Sequence, residues 1–234
     1  MKKFAFTLAE VLITLGVIGI VAAITLPILV QNYQKNVTVT RLKKVYSELS
    51  QAVNLSVNDN TEVENWDFSL SAQDFLEKYL LPYIKTTKIS EASKPTTVST
   101  FTNTYSLLNG VTFSSKIFIP ASSSGQQGFA IFVDINGKQN PNVLGRDKFT
   151  FYIFQEKKNY YNTGYGDCVK NIPRGGLYPD GYGFSRDRLL NDGWRGCNKK
   201  KDSSSSGYKV GSAGNYCTAL IMLDGWKISP DYLW

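Results

Sequence analysis

The sequence contains no histidine. This absence removes Ser–His and Cys–His nucleophilic pairs, the commonest general base, and zinc sites that use imidazole. Three cysteines, Cys168, Cys197 and Cys217, lie in the last third of the chain and form no Cys-x-x-Cys pair. Three dispersed thiols do not supply the four ligands of a closed zinc site. The residues therefore predict a protein that is not an enzyme and needs no cofactor.

Charged side chains are absent from residues 11–30, which are almost entirely apolar. A helix of about 20 apolar residues crosses the roughly 30 Å of hydrocarbon in a bilayer. In lipid every backbone N–H and C=O must be paired within the segment, so a spanning segment is a helix. Three interpretations are open: a secretory signal cleaved near Val21-Ala22-Ala23, a plain signal anchor, and a third that uses the flanking residues.

The third interpretation rests on residues 2–10, Lys-Lys-Phe-Ala-Phe-Thr-Leu-Ala-Glu. This stretch resembles the class III signal of type IV pilins and of the pseudopilins of type II secretion systems. In that family a short basic leader ends in a small residue, followed by Phe-Thr-Leu-x-Glu and a long apolar helix. The resemblance implies a leader over residues 1–5, cleavage after Ala5, where glycine is usual, and Phe6 as the first mature residue. It carries Glu10 onto the family's buried glutamate, and Pro27 falls where the family often kinks its helix.

The same resemblance implies a structural subunit. A prepilin peptidase would remove the leader and Phe6 would be N-methylated. An inner-membrane assembly platform would then add the subunit, helix against helix, to other pilin or pseudopilin subunits. The resulting pilus or pseudopilus would serve secretion, adhesion or DNA uptake. Lys2 and Lys3 precede the span, so the N-terminus is expected in the cytoplasm and the C-terminal domain in the periplasm, or at the cell surface in a fibre.

Glu10 is the carboxylate that stands at the start of the apolar run. A charge at the bilayer centre costs about 2.5–3.5 kcal/mol, and less towards the edge, so a partner is expected. In a chain that begins at Phe6, Glu10 lies about 6 Å along the helix from the terminal amine. The family pairs this glutamate with the amine of a neighbouring subunit, which would neutralise both charges and set the subunit register. Alternatively, Glu10 only reaches the lipid headgroups.

Helical periodicity continues beyond the span. Apolar residues recur at three- and four-residue spacing, at Leu42, Val45, Tyr46, Leu49, Ala52 and Val53. This amphipathic stripe predicts a helical extension over residues 31–57, so that one helix runs from about residue 6 to residue 57. Pro27 removes a backbone donor within it and predicts a kink or local melting. A second helix is predicted over residues 71–83 with Ser71 as its N-cap, followed by a polar loop over residues 85–104.

Strand patterns occupy residues 105–108, 111–119, 129–133 and 149–154. Asn109-Gly110 between the first two favours a hairpin, and antiparallel pairing of all four gives a small sheet. Residues 160–182 are rich in Gly, Tyr, Asp and Pro, which predicts a loop. The expected fold is α+β: a helix with a membrane-spanning part over residues 6–30 and an amphipathic part, packed on the antiparallel sheet of a pilin-like globular domain over residues 58–234.

Asp134, Asn136, Asn142 and Asp147 lie in the connection between two predicted strands. The connection resembles the Asp-x-Asn-Gly…Pro-Asn…Gly-x-Asp-x-Phe stretch of many pilin-like proteins. Oxygen atoms from these four side chains would suit calcium, which takes six to eight of them. The favoured interpretation is that the side chains hold turns while the glycines take positive φ.

The C-terminal residues 217–234 resemble the Cys-Thr-Ala…Asp-Gly-Trp-Lys-Ile…Asp-Tyr-x-Trp ending of some pilin-like proteins. Residues 217–223 predict a short buried helix, and three aromatic residues, Trp226, Tyr232 and Trp234, are expected to close the core. A Cys197–Cys217 disulfide is favoured because it closes a Ser/Gly-rich loop that is otherwise costly to order.

The net charge is +7, but the basic clusters are short: one holds Arg41, Lys43 and Lys44, and the other is the run over residues 199–201. A solvated surface is favoured, with nucleic acid or anionic lipid as secondary partners.

Two functions other than that of a pilin-like subunit stay open. One is a membrane-anchored extracytoplasmic binding module that does not polymerise. The other is a tethered enzyme that uses carboxylates, although Asp187 and Asp192 flank arginines and resemble surface charge.

Overall fold

The computed structural model describes residues 7–90, 103–118, 128–137, 139–156, 158–162, 167–193, 195–198, 214–232 and 234. The chain forms two units, Met1–Val37 and Thr38–Trp234, which are described separately. The fold class is α+β, with a long N-terminal helix and a small antiparallel sheet, as predicted. Ala5 and Phe6, the residues of the expected cleavage site, lie outside the described residues.

A single helix, α1 (Leu8–Asn60), contains 53 residues. At 1.5 Å per residue it is about 80 Å long. It ends at Asn60, one turn later than the sequence predicts. Pro27 lies inside it and the helix is unbroken there, so the predicted melting is not seen.

The first unit exposes apolar helix surface on all sides. Every large apolar side chain from Leu8 to Val30 is exposed, from 42% at Val11 to 77% at Leu8. A contiguous apolar surface of this kind is unfavourable in water and marks a membrane or protein contact. The helix is long and apolar enough to cross a bilayer, which indicates a single-pass membrane anchor.

In the second unit, α1 buries one face. The predicted stripe is confirmed, because its members Leu42, Val45, Leu49, Ala52 and Val53 are at most 5% exposed. They share one hydrophobic core with the inward-facing residues of the sheet. Tyr46 is half-buried and stacks on Phe151 of the sheet, with ring centroids 5.9 Å apart.

The main sheet has six antiparallel strands in the order β1-β2-β3-β4-β5-β8. These strands are β1 (Thr86–Ser90), β2 (Thr104–Leu107), β3 (Thr112–Phe118), β4 (Gly128–Asp134), β5 (Lys148–Phe154) and β8 (Gly176–Pro179). A separate hairpin pairs β6 (Lys158–Asn162) with β7 (Asp167–Ile172). The four predicted strands correspond to β2–β5.

Two predicted loops contain strands, while residues 91–102 and 163–166 of these loops lie outside the described residues. Residues 85–104 contain β1, whose side chains are almost all exposed and so lack the alternating apolar pattern of a half-buried strand. It is a strand because its backbone pairs with β2, for example Thr86 with Leu107. Residues 160–182 contain parts of β6 and all of β7 and β8. The glycine and proline of β8 are tolerated because β8 is an edge strand.

The second helix, α2 (Ala72–Tyr79), begins at the predicted cap. The Ser71 hydroxyl accepts a hydrogen bond from the Asp74 N–H. The helix ends earlier than predicted, and a short 3₁₀ helix (Leu81–Tyr83) replaces its last turn. Pro82 accounts for the difference, because the residue before a proline is disfavoured in the α conformation.

The two faces of the sheet bury different residues because side chains alternate along each strand. On one face Phe129, Ile131 and Phe151 join the core shared with α1 and α2. On the other face Ala130 and Tyr152 join a smaller core, which also contains residues of β7. Cys168 of β7 is a buried thiol in this second core.

The C-terminal segment closes the larger core, as predicted. Helix α4 (Cys217–Leu223) has the predicted bounds and is mostly buried. Tyr232 is 1% exposed, and Trp226 and Trp234 pack against the core. Arg186, at the start of α3 (Arg186–Asn191), holds this segment by ion pairs of 2.8 Å to Asp224 and to Asp231.

Candidate functional site

The start of α1 is closed by a reciprocal hydrogen-bonded pair between Thr7 and Glu10. The Thr7 N–H and hydroxyl each donate to Glu10 Oε2 at 2.8 Å. The Glu10 N–H donates to Thr7 Oγ1 at 3.3 Å. This is a capping box, in which two backbone donors that have no intrahelical acceptor bind side-chain oxygens. Sequence reasoning missed this role for Thr7, although the spacing Thr-x-x-Glu is its signature.

The capping box leaves Glu10 able to accept further hydrogen bonds. Both bonds from Thr7 end on the same oxygen, Oε2. A carboxylate has two oxygens with about four acceptor positions in total. Glu10 therefore closes its own helix and retains acceptor capacity for a donor from another chain.

The polar side chains in the apolar part of α1 bind acceptors or donors within the helix. The Thr14 hydroxyl donates to the Val11 carbonyl, and the Thr25 hydroxyl donates to the Val21 carbonyl, each at 2.9 Å. In lipid an unpaired polar group costs several kcal/mol. With Glu10 held by Thr7, each Thr and Glu side chain from residue 8 to residue 30 has a partner in its own helix.

The structure brings the predicted calcium residues together around Asp147, which is 3% exposed. Its Oδ1 accepts from the Val143 N–H at 2.6 Å. Its Oδ2 accepts from the Asn142 N–H at 2.6 Å and from the Asn136 side-chain amide at 3.2 Å. Asp134 accepts from the Asn136 N–H at 3.2 Å. These carboxylates hold the chain through its turns, which is the interpretation favoured from the sequence.

A metal at this position would have to replace those hydrogen bonds. Gly137 and Gly145 take positive φ, as predicted, and so does Asn142 at 54°. Burial raises the pKa of Asp134, and the nearby charge of Asp147 adds to the effect. Among the described residues, no group of three or more Asp, Glu, His or Cys side chains is arranged to hold a metal ion. The connection is best described as a structural turn.

Three distant parts of the chain meet at this turn. The Tyr232 hydroxyl donates to the Gly145 carbonyl. A side chain at Gly145 would collide with Cys217 Sγ, so the disulfide requires glycine there. The Thr38 hydroxyl donates to the Arg146 carbonyl at 3.4 Å. The turn therefore connects the start of the second unit's helix to the C-terminal segment.

The disulfide joins Cys197 to Cys217, as predicted, with their Cα atoms 5.0 Å apart.

A buried ion pair that the sequence did not reveal joins Asp180 to Arg195, two residues before Cys197. Arg195 Nη1 donates to both oxygens of Asp180, at 2.9 and 3.2 Å, and Asp180 is fully buried. Burial raises the pKa of Asp180 to about 7, while Arg195 acts to lower it. No local pattern marks two residues that are 15 positions apart.

We expect Asp180→Ala to lower the free energy of unfolding by about 3–5 kcal/mol, because it removes the carboxylate from a buried guanidinium. Urea unfolding of the detergent-solubilised chain, followed by tryptophan fluorescence, measures this change. The double replacement Asp180→Leu with Arg195→Met should cost less than the single one, because it buries no charge. A double replacement that is the more damaging of the two would contradict this account.

A family model described as "Family of unknown function (DUF6613)" matches residues 28–233. No curated protein and no solved structure matches the chain. The family match begins just after Pro27, so it covers the second unit except for Trp234 and leaves out Thr7 and Glu10. Since it spans more than half of the chain, the protein belongs to the DUF6613 family.

Proposed function

We propose that this protein is a pilin-like structural subunit, either a pseudopilin or a minor pilin. A prepilin peptidase cleaves it after Ala5 and the new N-terminus, Phe6, is methylated. The subunit is held in the inner membrane with its second unit in the periplasm, and an assembly platform adds it to a pilus or pseudopilus. The observation that supports this proposal best is an unbroken apolar helix with a single carboxylate at its start.

The exposed surface of the first unit supports storage in lipid and assembly by helix packing. Its large apolar side chains are exposed from Leu8 to Val30, and the Thr14 and Thr25 hydroxyls donate to backbone carbonyls. Such a helix is compatible with hydrocarbon as a monomer. In a fibre the same side chains pack against equivalent helices of other subunits. One apolar surface therefore suits both the monomer in lipid and the assembled subunit.

Glu10 supports assembly because a carboxylate in the membrane carries a free-energy cost that a partner of opposite charge offsets. Cleavage after Ala5 places the Phe6 amine one helical turn from the carboxylate. In its own helix Glu10 receives hydrogen bonds from Thr7, which carries no charge. The amine of a neighbouring subunit supplies the opposite charge in a low-dielectric environment, where the attraction is stronger than in water. The pair then sets the axial register of the fibre.

Mass spectrometry of the N-terminal peptide tests the processing step. We expect the mature chain to begin at a methylated Phe6. An intact Met1 would favour a plain signal anchor that does not polymerise. A start at Ile24 would indicate a cleaved secretory signal, and either result would contradict the proposal.

Two replacements of Glu10 separate its charge from its capping role. Glutamine at this position still completes a capping box but carries no charge. We expect Glu10→Gln and Glu10→Ala to reduce the fibre sheared from cells by about tenfold or more, the equivalent of about 1.4 kcal/mol, because both lose the charge pair.

Immunoblots of the sheared and membrane fractions measure how much of each variant is in fibres and how much is in the membrane. The amount of either variant in the membrane should stay unchanged, since the apolar helix is intact. Thr7→Val is the matched control, because it removes the cap and keeps the charge. If Glu10→Gln forms fibres normally while Glu10→Ala does not, capping rather than charge pairing is the function of Glu10.

A further inference from the structure

Charge is segregated along the part of the chain that contains the end of α1. Three basic residues, Arg41, Lys43 and Lys44, are exposed on the helix. No lysine or arginine occurs between residues 45 and 77. The carboxylates in that interval are Glu48, Asp59, Glu62, Glu64, Asp67, Asp74 and Glu77.

The carboxylates after Glu48 lie between residues 59 and 77, in the end of α1 and the segment that runs from it into α2. We call this set the acidic end: Asp59, Glu62, Glu64, Asp67, Asp74 and Glu77. The Tyr83 hydroxyl donates to Asp59 at 2.9 Å, which holds the 3₁₀ helix against the end of α1. The Trp66 ring stacks on Tyr79 of α2 at 4.4 Å, which holds α2 beside them. Three basic residues on adjoining segments, Lys78, Lys85 and Arg174, are outnumbered by these carboxylates.

Two of these basic residues, Lys43 and Lys44, border a groove of about 730 Å³ beside α1. We call it the basic groove; it is lined by Val39, Thr40, Lys43, Lys44, Ser47, Glu48, Gly225 and Trp226. The Lys43 ammonium lies 5.9 Å from the centre of the Trp226 ring. Trp226 is held at a φ of 62°, and its N–H donates to the Ile221 carbonyl at 2.8 Å. A left-handed tryptophan is uncommon, and here the residue is half-buried, packed against the core on one side and lining the groove on the other.

The basic groove and the acidic end do not neutralise each other within one chain. Lys44 and Asp59 are about 22 Å apart along the helix, which is twice the distance over which exposed charges interact at 0.1 M salt. The ion pair of Lys44 with Glu48 is 3.8 Å long, and 60% of the lysine side chain is still exposed. Exposed pairs of this kind contribute little.

The segregation does not stabilise the helix either. Asp59 lies in the last turn of α1, which contains no basic residue. A carboxylate at a helix C-terminus opposes the helix dipole. These exposed charges are therefore available to a partner outside the chain.

We propose that the basic groove of one subunit docks the acidic end of a second copy of this chain. The inference rests on the proposed function, since it concerns contacts between the second units of a fibre. Such a contact is head-to-tail, so it does not close and can repeat along a filament. Complementary charge fixes the register and suppresses wrong pairings. In a fibre with parallel helices, the two copies are offset by about 22 Å or more along the axis.

A charge swap in the full-length chain tests the interface. Lys43→Glu with Lys44→Glu should reduce sheared fibre by about tenfold, and Glu62→Lys with Glu77→Lys should do the same, because each places like charges across the contact. Glu62 and Glu77 are chosen because both are exposed. The chain that carries all four replacements should recover fibre formation, which also shows that each replacement is compatible with folding.

The matched control reverses two exposed lysines outside both surfaces, Lys88→Glu with Lys170→Glu, and should form fibres normally. Fibres that are lost in Glu10→Gln but unchanged in both charge reversals would overturn this interface and leave the proposed function standing. A defect of the Lys43 and Lys44 reversal that the swap does not rescue would also overturn it, and would assign the lysines to anionic lipid. If the wild-type chain forms no fibre, both proposals fail.

Discussion

Helix α1 must hydrogen-bond its entire backbone internally, because its first part exposes an apolar surface that suits hydrocarbon rather than water. The helical conformation is continuous over 53 residues, although Pro27 has no N–H to donate to the Ala23 carbonyl. The Thr14 and Thr25 hydroxyls bind carbonyls of the same helix, and Glu10 binds Thr7 at its start. The polar side chains of the apolar part therefore find their partners in α1 itself or in Thr7 beside it.

The second part of α1 provides the surface on which the globular unit folds. Its buried stripe packs with one face of the sheet, while residues of β7 pack with the other face. The Asp147 turn then links Thr38, at the start of this part, to the disulfide and to Tyr232. The same helix therefore provides the membrane anchor, the core of the globular unit and the surface that carries the basic groove.

The sequence predicted those helices and strands whose own residues show a clear apolar periodicity or a capping residue. The stripe from Leu42 to Val53 predicted the helical extension, and the Ser71 cap and strands β2–β5 followed from short-range rules. Strand β1 was missed because an exposed edge strand has no apolar alternation, and β8 because its glycine and proline resemble a loop. Both strands are held by backbone pairing with a neighbouring strand, and the pattern of side chains in a sequence does not show that pairing.

The residues of the candidate sites also fall into two groups: those that a local motif predicts and those that only the fold brings together. Glu10 was found from its motif, and its capping partner Thr7 was equally local but overlooked. The sequence pattern singled out the residues around Asp147, and the hydrogen bonds that fix their turn are visible only in the structure. The Asp180–Arg195 pair and the basic groove bring together residues that are distant in sequence, and no single-sequence rule predicts such contacts.

The central claim is that the Glu10 carboxylate pairs with the terminal amine of another subunit. Cryo-electron microscopy of fibres sheared from cells expressing the wild-type chain measures this distance directly. The account predicts the Phe6 amine of one subunit within about 4 Å of the Glu10 carboxylate of its neighbour, the separation of an ion pair. A fibre in which Glu10 contacts only Thr7 of its own helix, with the neighbouring amine elsewhere, would contradict it.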